Sequence, residues 1–321
     1  MKKMLFIPAL FLSFCVFAQK NITVAQDGSG DYKTIQAAFD AIPPGNKSRV
    51  EVDVKPGVYT ERAVLDSTKQ FVTVVGAGAD RTILSYNNHS GMTDASGRRI
   101  TTPTSASLFI NASNFTARDI TFRNDAGFSA GQAVAVYAYG DKLAFRHCNF
   151  IGFQDVLFCS GLGSRQYYQD CYIEGTTDFI FGPATCVFKN CRIKSKKNSH
   201  VTAASTPEGV KYGFVFLNCR LTGDTSLHSV SLGRPWRPYA CVTYIRCYLG
   251  GHIKPEGWAN WNQTESYKTA RYAEYKDYGP GANPHTRVNW ARQLTDTEAK
   301  TYTIKNILSG ADDWNPLKQL K

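Results

Sequence analysis

Six stretches of the chain align on one column, Ile120, Cys148, Cys171, Cys191, Cys219 and Cys247, at steps of 28, 23, 20, 28 and 28 residues. The stretches run from Phe115 to Phe122, Leu143 to Phe150, Tyr167 to Ile173, Val187 to Ile193, Val215 to Leu221 and Thr243 to Leu249. Short alternating runs of fixed length, separated by turns of variable length rich in Gly, Asn and Asp, are what the coils of a parallel β-solenoid produce. Equivalent positions of successive coils then stack at the strand spacing, about 4.8 Å. Gln132, Asp155 and Asp178 lie 23 residues apart and then 23 again. That rhythm predicts an amide and two carboxylates on one face. Two carboxylates held so close do not ionise independently, and the pair suits acid/base and nucleophilic work.

The cysteines follow the same repeat. Five of the eight beyond Cys15 occupy the column, flanked by apolar residues. This favours an inward stack of buried thiols over disulfides, with Cys159, Cys186 and Cys241 left open between the two. There is no CxxC pair and the six His are scattered singly, so no metal and no cofactor is expected.

Met1-Lys2-Lys3, an apolar run from Met4 to Phe17 and then Ala18 predict an export signal over residues 1–18. The run is shorter than the roughly 20 apolar residues of a membrane span, and the bulky Phe14 before Cys15 argues against lipoprotein processing. One domain over residues 19–321 is expected in a periplasm or outside the cell, without stable membrane insertion. The formal charge is +11, or +9 without Lys2 and Lys3, which fits a polyanionic partner. With no basic run beyond Lys194–Lys197 and no nucleic-acid motif, an acidic polysaccharide is expected rather than nucleic acid. No oligomer interface is legible, and a monomer is expected.

The repeat needs closing at both ends, because an open coil presents unpaired strand and apolar surface. A strand over Ile22–Ala25 leads into a short helix with the stripe Ile35, Ala38, Phe39 and Ile42, capped by Asp31 or Thr34 and stopped by Pro43-Pro44. The repeat fades from Tyr267, and Thr295-Asp-Thr-Glu298 is a capping box opening one further short helix through Leu308. The expected class is an all-β parallel β-helix with a short N-terminal capping helix and a C-terminal tail carrying a short helix.

Five blocks in order carry a family resemblance: Gly28 to Pro43, Lys55-Pro-Gly-Val-Tyr-Thr-Glu61, Gln132-Ala-Val-Ala135 with Gly152-Phe-Gln-Asp-Val-Leu157, Asp178-Phe-Ile-Phe-Gly182, and Leu232-Gly-Arg-Pro-Trp236. They resemble the signature blocks of pectin methylesterases. The resemblance implies a single-stranded right-handed parallel β-helix that removes methyl esters from pectin, methylated homogalacturonan, to give pectate and methanol without a metal. It further implies Asp178 as nucleophile, Asp155 as general acid and then base, and Gln132 and Gln154 as donors to the oxyanion. Arg234 is implied to pair with Asp178 and lower its pKa, and no serine nucleophile is expected. Thr102, Phe153, Phe158, Phe181 and Trp236 are implied to contact the sugar chain. Phe179 alternates away from Phe181, which places it in the core, and basic Arg165 or Arg237 could meet free galacturonate carboxylates.

Plainer roles stand beside these. A turn Asp commonly bonds backbone amides, Gln132 and Gln154 could form an amide ladder, and Arg234 could be a surface ion pair. The chain departs from the family at Phe153 and Phe158, where Tyr is common, at Ser107, where Thr is usual, and in a slightly longer Cys159–Arg165 loop. Without a long pro-region it resembles a short bacterial-type form. Rival functions are a polygalacturonase, a pectate lyase, which would want an acidic calcium cluster, and a non-catalytic polysaccharide-binding solenoid.

Overall fold

The coils are built from short runs of two to five residues, and each run inside a sheet hydrogen-bonds to the same run of the coil before and after. The computed structural model describes residues 20–320; the expected export signal lies outside them. Their strands stack into three parallel sheets of eleven, eight and seven strands, the expected β-helix. One coil shows the path: Leu143–Arg146 in the eleven-stranded sheet, Asn149–Ile151 in the eight-stranded, Leu157–Cys159 in the seven-stranded, then Arg165–Gln169 back in the first. No helix among the described residues is long and apolar enough to cross a membrane.

The bend from the eleven- to the eight-stranded sheet is tight and repeats one conformation. Asp119, His147, Asp170, Asn190, Asn218 and Arg246 all adopt positive φ, between 52° and 57°. Asp and Asn tolerate this left-handed region better than most residues, which is why four of the six are Asp or Asn. Their amides bond the next coil, as His147 N to Gln169 O at 3.1 Å and Asn190 N to Leu217 O at 3.0 Å. Immediately after the bend comes the cysteine column. All eight described cysteines are buried free thiols, which settles Cys159, Cys186 and Cys241 with the rest. Several donate to carbonyls of the preceding coil, as Cys219 Sγ to Phe188 O at 3.3 Å.

Inside the eleven-stranded sheet Phe145, Tyr168, Phe188, Phe216 and Tyr244 stack ring on ring. Their centroids are 4.8, 4.7, 4.6 and 4.4 Å apart and successive planes lie within 11° of parallel. That spacing is the strand spacing, so the ladder sets the stack. The two buried hydroxyls are satisfied, Tyr168 by Gln166 Oε1 at 2.7 Å and Tyr244 by Leu232 O at 3.0 Å.

The N-terminal helix α1 spans Ile35–Asp40 and buries Ile35, Ala38 and Phe39 against the strands Lys20–Val24 and Ala63–Leu65. Thr34, not Asp31, is its cap, accepting from Ala37 N at 3.1 Å. The Glu61 carboxylate takes the free first-turn amides of Ile35 and Gln36 at 2.8 and 2.9 Å. The C-terminal end departs from expectation in two ways. Ladder pairing persists past Tyr267 through Arg271–Tyr275, and the expected single helix is broken into α2 (Asp296–Ala299) and α3 (Ile304–Leu308), with α4 (Pro316–Gln319) beyond. The capping box at Thr295 forms as predicted, but Thr303 starts a new cap four residues after α2 ends.

This tail lies on the outer face of the eleven-stranded sheet, where Ile307, Leu308, Trp314 and Leu320 cover Tyr167, Val187 and Val215. Gln319 Nε2 reaches Phe115 O and Thr116 Oγ1, both at 2.9 Å, and Lys142 O at 3.2 Å. Arg165 is committed here rather than to substrate: it bonds Asp141, Asp312 and the carbonyls of Leu308 and Ser309. Replacing Phe188, the middle ring of the internal ladder, with Ala is expected to cost about 3–5 kcal/mol. A lowered urea midpoint checks this, against Leu162→Ala at an 82% exposed position, which should move it little.

Candidate active site

The turns from the eight- to the seven-stranded sheet are longer than the tight bends, and two of them carry the carboxylates. Asp155 and Asp178 each stand two residues before a strand, and the register pairs Leu157 with Ile180, so they hold equivalent places on adjacent coils. Both adopt positive φ, 64° and 51°, the conformation for which Asp is suited. Each backbone amide is fixed by the next coil: Asp155 N to Thr177 O at 3.0 Å, Asp178 N to His200 O at 2.8 Å.

The equal 23-residue steps proved only half informative. Gln132 forms its isolated bridge with Gln154, one residue short of Asp155, and the strands that follow pair Val136 with Leu157. The stack is therefore Gln132 beside Gln154, and Asp155 beside Asp178. Neither glutamine side chain has a hydrogen-bond partner among the described residues, so the amide ladder is not formed and both side chains face the cleft.

Arg234 arrives from two coils further on. The outward column of the seven-stranded sheet runs Phe158, Phe181, Ala203, Arg234, and the small Ala203 leaves room for the guanidinium to reach back. Arg234 Nε and Nη2 bind Asp178 Oδ1 and Oδ2 at 3.0 and 2.6 Å, a bidentate pair. The preceding Gly233 is required by close approach, since a Cβ there would sit 2.0 Å from Thr202 Oγ1. On its other side the guanidinium lies 4.0 Å from the ring centroid of Trp261, which tilts against Trp236.

A cleft of about 380 Å³ gathers these groups: Gln132, Gln154, Asp155, Asp178, Arg234, Thr102, Phe158, Phe181 and Trp236 all line it, with Pro103, Ala203 and Trp261. Phe158 and Phe181 stack at 4.3 Å. Of the expected site residues only Phe153 is absent from this lining; it packs edge-on against Phe128, 5.8 Å between centroids. Phe179 is fully buried, as expected, and Arg237 is exposed over Trp236. Trp261 was not anticipated. Its partner in the sequence, Trp258, turns into the core and bonds Glu274, and the pair falls after the last aligned repeat, so no periodicity marked which one faces out. The chain carries one GxSxG match, Gly127-Phe-Ser-Ala-Gly131. It forms an exposed turn rather than a strand-to-helix elbow, and Ser129 has no hydrogen-bond partner among the described residues.

Burial pushes the Asp155 carboxyl well above the usual carboxylate range, the charge of Asp178 pushes the same way, and Arg234 opposes. Asp178 was expected below that range. It lies above it, because burial outweighs the lowering by the hydrogen bonds and charge of Arg234. The asymmetry survives: two buried carboxyls, one of them with a guanidinium. Behind them His200, bonded to Ser231 Oγ at 2.7 Å, is pushed down to about 3 by burial and by Arg234, and stays neutral. A folded pKa above the unfolded value contributes stability that is full below the unfolded pKa and lost as pH rises through the folded pKa. Asp155→Asn should therefore raise the melting midpoint at neutral pH and flatten its decline from about pH 4 upward; equal slopes in thermal melts of the two proteins would refute the assignment. Asp178 supplies a residual slope of the same sign.

A family model described as Pectinesterase matches residues 21–311. Pectinesterase 31 of Arabidopsis thaliana is 38% identical over 92% of this chain and 94% of its own length. Pectinesterase 4 of the same plant is 36% identical over 92% of this chain, which spans 51% of that longer protein. The structure of pectin methylesterase from carrot superposes with a TM-score of 0.83 at 34% identity, covering 91% of this chain and 94% of that one. With the same fold, the matched blocks and the assembled cleft, this chain belongs to the pectinesterase family.

Proposed function

We propose that the cleft hydrolyses methyl esters of pectin by covalent catalysis, with Asp178 as nucleophile and Asp155 as general acid and base. The observation that carries this reading is the pairing of two buried carboxyls of which only one is held by a bidentate arginine. Arg234 favours the ionised form of Asp178 and aims its oxygens, while burial and the neighbouring charge keep the proton on Asp155. A carboxylate oxygen of Asp178 attacks the ester carbonyl carbon, and the carbonyl electron pair moves onto oxygen. The unpartnered amides of Gln132 and Gln154 are placed to donate to that oxyanion. As the intermediate collapses, the bond to the methoxy oxygen breaks and Asp155 gives it a proton, releasing methanol. Asp155, now ionised, takes a proton from water, whose oxygen attacks the acyl-enzyme and frees galacturonate and Asp178.

Around this centre Phe158, Phe181, Trp236 and Trp261 offer apolar faces for sugar C–H bonds, and Thr102 lies at the cleft wall. Trp261 also covers the guanidinium, which shields the Asp178 pair from water and strengthens it. The basic start and apolar run of residues 1–18 are read as an export leader; N-terminal sequencing of the secreted protein should begin at Gln19, and a retained Met1 would remove the leader.

Methanol release from methylated pectin tests the whole reading, since neither a glycosidase, a lyase nor a binding protein produces it. Asp178→Asn, close in shape, should abolish release while polymer binding persists; a tenth of the wild-type rate would exclude Asp178 as nucleophile. Gln132→Ala should raise the barrier by about 2–4 kcal/mol, and a near-normal kcat would remove it from the oxyanion site.

A further inference from the structure

The outer face of the eight-stranded sheet carries a column of side chains that the cleft does not use. Tyr172, Arg192, Arg220 and Tyr248 pair in register on four successive strands, and Tyr278 bridges to Tyr248 beyond them. Both arginines are exposed, and they stand opposite each other at the strand spacing, a like-charge pairing that costs stability. The carboxylates that follow on these strands are engaged elsewhere: Glu174 is held by Lys196 and Tyr172, and Asp224 by Lys194. Each guanidinium lies instead against a tyrosine, Arg192 5.4 Å from the Tyr172 centroid and Arg220 3.8 Å from that of Tyr248. Tyr278 meets Tyr248 edge-on and is 58% exposed.

Beside Arg220 the face is hollow. A cavity of about 430 Å³, sharing no residue with the cleft, is lined by Arg220, Tyr248, Thr222, Thr225, Asp224 and His252. His252 is only 4% exposed, and its Nε2 has no hydrogen-bond partner among the described residues. Burial pushes the ring down to about 4, so it stays neutral at ordinary pH and that nitrogen has one hydrogen bond to give or take. The ring is closely seated, since a Cβ at Gly223 would lie 2.8 Å from it. A buried polar atom without a partner is costly until a ligand or water meets it.

A neutral imidazole and two threonine hydroxyls suit sugar hydroxyls, and a guanidinium backed by a tyrosine suits a carboxylate. One arginine per coil suits a polymer of such acids better than a single one. We propose that Arg192, Arg220, Tyr248 and His252 form a second, non-catalytic site that holds a further stretch of polyuronate chain. This rests on the reading of the cleft as a pectin site. Its consequence is that long chains are gripped at two places, whereas oligomers that fill only the cleft are not.

Affinity electrophoresis in gels containing polygalacturonate reads this site without turnover. Arg220→Gln and, separately, Arg192→Gln should each weaken the affinity for the polymer about threefold to tenfold and leave kcat on a short methylated oligomer unchanged. Lys47→Gln makes the same charge change at an exposed loop position and should leave retardation as it is. Equal retardation of Arg220→Gln and Lys47→Gln would overturn the site. The same Arg220→Gln loss in a gel of dextran sulfate, which has no carboxylates, would overturn the uronate assignment. If the wild-type protein released no methanol, the esterase reading would fall and the gel comparison would still decide the site.

Discussion

Everything in this molecule depends on the parallel hydrogen-bond ladder that sets one coil above the next at the strand spacing. Because that distance is fixed, whatever side chain occupies a given place in the coil is brought against its counterpart in the neighbouring coils. Apolar places become an internal column, as in the five stacked rings from Phe145 to Tyr244. Thiol places become a buried cysteine file. Outward places become the site: Phe158 over Phe181 in one column, with Arg234 further along it. The ladder sets the two carboxyls, the stacked phenylalanines and Arg234, and the irregular segments bearing Thr102 and Trp261 complete the cleft wall.

The ladder also explains how two carboxyls of the same type are made unlike. Asp155 and Asp178 share a backbone conformation, a coil position and burial, so their difference comes from what stands on one side of the stack. Arg234 reaches Asp178 with both oxygens engaged and is itself backed by Trp261. Asp155 has no such partner, and desolvation acts on it with less opposition. One guanidinium thus makes an otherwise symmetric pair unlike, as the proposed roles of nucleophile and proton donor require.

Much of this was legible in the sequence. The repeat column identified the fold, the Ile35–Ile42 stripe identified the cap, and of the ten residues that the family resemblance named nine line one cleft. What escaped has physical reasons. Register is set by turn length, and a turn shifted by one residue placed Gln132 beside Gln154 rather than Asp155. Phe153 lies outside the cleft lining and the unanticipated Trp261 within it, because side-chain direction in irregular turns follows no period. The net pKa shift of Asp178 depends on burial, which a motif does not encode. In the tail, capping signals gave the start of α2 but not its early end, since a second cap at Thr303 competes within a few residues.

A stack of coils coupled only to nearest neighbours is a one-dimensional chain, and such chains fray from their ends. The tail changes that topology. By crossing the outside of the eleven-stranded sheet and tying Gln319 to Phe115, Thr116 and Lys142, and Leu308 and Ser309 to Arg165, it brackets coils from the outside as the ladder joins them from within. The end of the polypeptide is thereby spent on its middle. The coils that bear the two carboxyls sit inside the bracketed block, and opening them requires releasing contacts made by residues more than a hundred positions away.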